Sequence, residues 1–167
     1  MNGPAGAPLR RMLDGFAAAV RALVVLLACV MLLALTLQIG ARFGFGQALS
    51  WTEELALACF SWAMLLALAL GVRDAIHARM DLLTDRLPVR LERAVAEAVS
   101  LGVAALGLFI AWAGVRYVAD SWGTTSAAIG YPIGWLYAAA PACGICLLVF
   151  ALERAMLGAP AARHGVK

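Results

Sequence analysis

Apolar residues fill four long blocks of this chain, and none of the blocks contains Asp, Glu, Lys or Arg. The blocks are residues 22–41, 55–72, 98–115 and 121–152. A helix rises about 1.5 Å per residue, so roughly 20 residues cross the hydrocarbon core of a bilayer, which is about 30 Å thick. The first three blocks have about this length, and each predicts one membrane-spanning helix.

The fourth block is too long for one span and too short for two. Its first part, residues 121–132, contains Gly, Ser and Thr and ends in Tyr131-Pro132, which is typical of a loop. The pattern therefore predicts an all-α membrane protein with four transmembrane helices, the last of them kinked by Pro141. The predicted spans are residues 22–41, 53–72, 96–117 and 133–152.

Amphipathic segments adjoin the predicted spans. In residues 9–20, and again in residues 80–87, apolar and charged positions alternate as in a helix that lies in the membrane surface. We therefore expect interfacial helices before span one and between spans two and three. Residues 9–154 would form a single four-helix domain, between a disordered tail at residues 1–8 and a cytoplasmic tail at residues 155–167.

Composition supports a membrane protein, and the placement of charge predicts its orientation. The 167 residues are 64% hydrophobic, and the mean hydropathy of +0.89 excludes an ordinary soluble domain. Eleven Lys and Arg residues precede span one, follow span four or lie between spans two and three, whereas two lie on the opposite side. Because positive residues remain in the cytoplasm, we expect a bacterial inner-membrane protein with both termini inside.

Small residues recur at four-residue spacing in three of the spans. Such faces let helices approach closely in lipid, so they predict a compact bundle, although the pattern does not show which faces meet. Span two carries Ala63, Ala67 and Gly71; span three carries Gly107, Ala111 and Gly114; span four carries Gly130, Gly134, Ala138, Ala142 and Cys146.

The interior of the spans lacks the groups that pumps and redox enzymes use. A self-sufficient homodimeric four-helix exporter would need an intramembrane carboxylate, and no span interior contains one. Cys143-Gly-Ile-Cys146 is the motif of a thiol oxidoreductase, but deep in a membrane span a reactive thiolate is disfavoured. We expect these cysteines to be packing residues and the protein not to be an enzyme, with no cofactor, no metal and no nucleic-acid partner.

Polar residues at the span boundaries are the remaining candidates for function. On the periplasmic side, Arg42, Trp51, Glu53 and Glu54 are predicted to meet where spans one and two end. They would form either a polar clasp, within the chain or toward a partner, or an ordinary membrane boundary. On the cytoplasmic side Arg73, His77 and Asp81 share one helical face, again as an interface or as a solvated surface.

These boundary residues resemble the signature of a known family. The residues concerned, in order, are Arg42-Phe43, Trp51-Thr52-Glu53-Glu54-Leu55, Trp62, Leu70-Gly71-Val72-Arg73, His77-Ala78-Arg79-Met80-Asp81 and Leu87-Pro88, followed by the segment from Ser126 through Gly130-Tyr131-Pro132 to Pro141. Their order and spacing resemble the small membrane subunit (the Q subunit, or DctQ family) of tripartite ATP-independent periplasmic (TRAP) transporters. The resemblance extends from about residue 20 to residue 154.

The resemblance implies partners and a role. Such subunits work in the lipid bilayer with a large membrane subunit, which carries the substrate and sodium sites, and with a periplasmic solute-binding protein. The complex imports organic acids, often carboxylates, with a sodium gradient. The small subunit would serve as a fixed scaffold, which agrees with spans whose interiors hold no charge.

Overall fold

The computed structural model describes residues 6–46, 49–84 and 89–157, and within them the side chains of residues 8–46, 49–74, 94, 95 and 97–153. These residues form five α-helices: α1 (Gly6–Phe45), α2 (Ser50–Thr84), α3 (Val89–Ser121), α4 (Gly134–Tyr137) and α5 (Ala139–Leu157).

Four stretches of these helices are long and apolar enough to cross a membrane, which confirms the predicted fold class. They are Pro8–Phe45, Ser50–Asp74, Glu97–Ser121 and Gly134–Glu153. The last stretch combines α4 and α5, which are separated at Ala138. Proline lacks an N–H group, so Pro141 leaves the carbonyl of Tyr137 without its helical partner, which accounts for the interruption of span four three residues before the proline that was expected to kink it.

The described residues of both predicted interfacial segments belong to longer helices. Residues 9–20 form the first part of α1, and α2 continues past the second span without a break as far as Thr84. Helix α1 begins at Gly6, inside the segment expected to be a disordered tail, and α5 continues to Leu157. Whether these segments lie in the membrane surface stays a prediction. Pro88, which follows the second amphipathic segment in the sequence, lies outside the described residues.

The helices form an open row rather than the compact bundle that the small residues suggest. Helix α1 packs along α2, α2 packs along α5, and α5 packs along α3, whereas α3 makes no extended contact with α1 or α2 in the described part of the chain. The buried core follows the seam between α2 and α5, where Leu66, Ala69, Cys143, Leu147 and Phe150 pack together. Helices α1 and α3 therefore leave much of their apolar surface outside this core.

Helices α3 and α5 approach each other through glycine. A methyl group added to Gly144 would lie 2.5 Å from the backbone nitrogen of Ala111 and 2.6 Å from the carbonyl oxygen of Gly107. One added to Gly114 would lie 2.7 Å from the ring of Pro141. The small face predicted for span three therefore faces α5. Gly144, which lies outside the series identified in span four, makes the closest approach.

The small face of span two has no comparable neighbour. A methyl group on Gly71 would have nothing within 4 Å, and Ala67 is exposed. In span four, by contrast, Gly134 is buried, and a methyl group added to it would lie 2.7 Å from the ring of Trp122. Of the three faces, those on spans three and four support contacts within the chain.

Candidate functional site

Polar side chains gather at the two ends of the helix row. We call the end where α1 ends, α2 begins and the 122–133 loop lies the loop end, and the opposite end the termini end. The loop-end cluster consists of Gln38, Glu53, Glu54 and Ser126. The termini-end cluster consists of Asp14, Arg21, Arg73, Asp74 and Glu153.

Glu54 holds the loop between α3 and α4 in place. Its carboxylate accepts a hydrogen bond from the Ser126 hydroxyl at 2.7 Å and from the backbone N–H groups of Ala128 at 2.8 Å and Ile129 at 3.0 Å. Three donors on one ionised carboxylate make strong, oriented bonds. Glu54 therefore clasps a loop of its own chain that is more than 70 residues away in sequence.

The same loop is closed by its own backbone. The Ser126 N–H donates to the carbonyl of Tyr131 at 2.9 Å, and the Ile133 N–H donates to the carbonyl of Thr124 at 2.8 Å. Gly130 allows the turn because its φ is +78°, a conformation that few other residues adopt. Burial and the Glu54 carboxylate raise the pKa of Tyr131, so its phenol stays neutral at physiological pH. The loop is thus a closed, hairpin-like unit.

Of the other residues predicted to meet at the loop end, Glu53 has a partner within the chain, whereas Arg42 forms no ion pair with either glutamate among the described residues. Glu53 accepts a short hydrogen bond from the side-chain amide of Gln38, which joins α2 to α1. Among the described residues, no ion pair joins Arg42 to Glu53 or Glu54. Trp51 is partly exposed. The structure thus brings each glutamate to a neighbour within the chain but does not bring Arg42 to them.

Aromatic side chains reinforce the loop end. The indole N–H of Trp62 on α2 donates to the carbonyl of Trp135 on α4 at 3.0 Å. The rings of Trp122 and Trp135 lie 6.0 Å apart, within the range of favourable aromatic pairs. These contacts attach α4 to both α2 and the end of α3.

Replacing Glu54 by alanine is expected to loosen the loop. The N–H groups of Ala128 and Ile129 lose their acceptor, so their hydrogen–deuterium exchange in detergent should become faster. Glu53→Ala is the matched control, because Glu53 contacts Gln38 and not the loop. Equal exchange in the two variants would show that Glu54 does not hold the loop.

Arg73 is the centre of the termini-end cluster. Its guanidinium donates two hydrogen bonds to Glu153, at 2.9 and 2.7 Å, and a third to Asp14 at 2.9 Å. It also lies 5.4 Å above the ring of Phe150. Only 11% of the Arg73 side chain and 4% of the Glu153 side chain are exposed. One arginine thus connects α1, α2 and α5.

A more exposed ion pair lies beside this centre. Arg21 on α1 contacts Asp74 on α2 at 2.8 Å, and more than half of each side chain is exposed. Apolar contacts support the same helix ends, since the rings of Phe16 and Phe150 lie 5.9 Å apart and Ala17 is buried. The first part of α1 is therefore attached to the rest of the row by both charge and packing.

The sequence identified Arg73 but not its partners. His77 and Asp81, which were expected to share its face, have side chains that lie outside the described residues. Asp14 and Glu153 were missed, as was the pairing of Glu53 with Gln38. A search for acidic residues at the same predicted membrane boundary as Arg73 would have found Glu153. It would have found Asp14 and Asp74 as equally good candidates for the partner of Arg73.

Among the described residues, no group of three or more His, Cys, Asp or Glu side chains could hold a metal ion. The four cysteines are free thiols, and Cys143 and Cys146 are buried among packing residues of the α2–α5 seam. Apolar spans with polar clusters at both ends define a multi-pass membrane protein.

Comparison with known proteins identifies the family. Residues 31–160 match the model of the DctQ component of tripartite ATP-independent periplasmic transporters. The chain therefore belongs to the DctQ family. It is a small membrane subunit of a TRAP transporter.

Two relatives are named as TRAP permeases. The sialic acid TRAP transporter permease protein SiaT of Haemophilus influenzae is 31% identical over 112 residues, which are 66% of this chain and 18% of that protein. The ectoine TRAP transporter small permease protein TeaB of Halomonas elongata is 29% identical over 102 residues, which are 60% of this chain and 53% of that protein. The chain thus matches about a fifth of one relative and about half of the other.

Proposed function

We propose that this subunit is a rigid scaffold that supports a larger transport subunit and does not itself move solute. The observation that carries the proposal is the position of the charge. The four spans have no Asp, Glu, Lys or Arg in their interiors, and the charged clusters at their ends are satisfied within the chain. Transporters that couple solute to an ion bind it with ionisable groups or unwound helix segments at mid-membrane.

The bracing contacts support a scaffold role directly. Arg73 connects three helices at the termini end, and Glu54 attaches the 122–133 loop at the loop end. Glu153 is the one carboxylate among the described residues that is deeply buried, and Arg73 holds it in two hydrogen bonds. This pairing makes it a poor proton carrier and disfavours a self-sufficient exporter.

Membership of the family supports a proposal for the partners and the solute class. We propose that the chain works with a large membrane subunit and a periplasmic solute-binding protein, and that the complex imports an organic acid of the carboxylate class with a sodium gradient. The two relatives are named for sialic acid and for ectoine, so the solute differs between TRAP systems. Selection of the solute belongs to the other subunits in this proposal.

Membrane orientation is part of the same proposal. The excess of Lys and Arg near both termini and between spans two and three supports an inner-membrane protein with its termini end in the cytoplasm. The loop end would then face the periplasm, where a binding protein could reach the 122–133 loop.

Reconstitution tests the scaffold role. Vesicles that contain the chain alone, the large subunit and binding protein without it, or all three together are given a sodium gradient and a panel of radiolabelled carboxylates. Uptake is expected only with all three, and the chain should co-purify with the large subunit in mild detergent. Sodium-driven uptake by the chain alone would disprove the scaffold role. Failure to co-purify would disprove the proposal that the chain works with a large membrane subunit.

A further inference from the structure

The 122–133 loop reaches across the end of the helix row. It starts at the end of α3 and leads into α4, yet the N–H groups of Ala128 and Ile129 bond to Glu54 at the start of α2. Helices α2 and α3 make no extended contact elsewhere in the described part of the chain. Among the described residues of the loop end, this loop is also the longest segment outside a helix.

The loop presents a neutral, exposed surface. Residues 121–133 contain no Asp, Glu, Lys or Arg. The side chain of Ile129 is 47% exposed although its backbone N–H is bonded to Glu54, and Thr125 and Ala127 are exposed as well. A partner would therefore meet apolar and hydroxyl groups rather than charge.

Hydrogen bonds hold this surface in one conformation before any partner binds. Two backbone bonds close the loop, Gly130 allows its turn, and three donors attach it to Glu54. A preformed surface loses little conformational freedom on binding, which favours association. Most connections between elements have only about 4–6 residues, and longer ones frequently bind partners. The loop thus has the properties of a recognition surface.

The size and position of the surface favour a periplasmic partner that binds transiently. Obligate partners bury large apolar interfaces, whereas transient ones use small surfaces, of less than about 1,200 Å² in total. A single neutral loop belongs to the second kind. A membrane partner packs along helices within the bilayer, whereas a periplasmic partner approaches the loop end from the aqueous side.

We propose that the 122–133 loop is a docking surface for the periplasmic solute-binding protein. Ile129 is its apolar contact, and Glu54 is the positioning residue that holds the loop in its binding conformation. This inference rests on the proposed function, which supplies the binding protein, and adds the surface that receives it.

Uptake measured against the concentration of binding protein tests the docking surface. Vesicles that contain the chain and the large subunit are given the carboxylate that is taken up in the reconstitution test. Ile129→Asn should raise the half-maximal concentration of binding protein about tenfold, because the contact of one apolar side chain is lost. The maximal rate should not change. Ala127→Trp, which adds bulk at an exposed loop position, and Glu54→Ala, which frees the loop, should raise the half-maximal concentration as well.

Phe45→Asn is the matched control, because Phe45 is 84% exposed at the end of α1 and lies outside the loop. Its half-maximal concentration should equal that of the unaltered chain. If Ile129→Asn and Ala127→Trp behave like this control, the proposal is wrong. Loss of co-purification with the large subunit in Ile129→Asn would also overturn it and assign the loop to that subunit. No uptake by the unaltered complex at any concentration would refute the proposed function, and this inference with it.

Discussion

Replacing Arg73 by alanine is expected to destabilise the subunit more than any other single change to its charged residues. The substitution leaves Glu153 buried without a partner, and an uncompensated buried charge costs about 3–5 kcal/mol. In detergent the midpoint of thermal unfolding should fall by roughly 10 °C. Heating followed by size-exclusion chromatography measures the loss of folded chain, and the yield of the complex with the large subunit should fall in parallel.

Two further variants separate the ion pair from packing. Arg21→Ala removes a pair whose side chains are 57% and 58% exposed, and such surface pairs contribute about 0–1 kcal/mol. The double variant Arg73→Met with Glu153→Met replaces both charges by apolar side chains and should recover most of the stability. If Arg73→Ala and Arg21→Ala have the same midpoint, the Arg73–Glu153 pair does not stabilise the fold.

Replacing Gly144 by alanine is expected to separate α3 from α5. The added methyl group would lie 2.5–2.6 Å from backbone atoms of Ala111 and Gly107. Backbone atoms cannot rotate away as a side chain can, so the helices must move apart. Such overpacking costs about 1–3 kcal/mol, and we expect the upper part of this range. The thermal midpoint in detergent should fall clearly, with faster proteolysis of α3.

Gly102 provides the control for this substitution. It lies in the same helix pair, on α3, but an added methyl group would have nothing within 4 Å. Gly102→Ala should be neutral or slightly stabilising, because alanine favours a helix by about 1 kcal/mol over glycine. A Gly144→Ala variant as stable as Gly102→Ala would show that the two helices do not approach this closely.

The architecture was largely predictable because each membrane span is a long uncharged apolar block that can be identified in the sequence. Uncharged blocks of about 20 residues predicted the four spans, and the loop before Pro132 separated the third from the fourth. The row arrangement was not predictable in the same way. Small residues indicate that a helix can approach another, but they do not show which helix is the partner. Gly71 belongs to the series identified in span two and has no neighbour, whereas Gly144 lies outside the series in span four and makes the closest approach.

The candidate sites show the same division. Glu54 was recognisable as a polar residue at a membrane boundary. The groups that donate hydrogen bonds to its carboxylate are a serine hydroxyl and two backbone N–H groups, and these carry no sequence signature. Arg73 was recognisable for the same reason. Its helical neighbours His77 and Asp81 were local candidates, whereas the contacts that the structure describes reach 59 and 80 residues along the chain.

The order of residues along the chain was enough to establish a four-span membrane protein with uncharged span interiors and functional candidates at the boundaries. Hydrophobicity and charge act locally, residue by residue, so a linear pattern records them. The pairing of Arg73 with Glu153 and the clasp on the 122–133 loop emerged only in three dimensions. They depend on which helices become neighbours, and that choice is made by packing between distant segments.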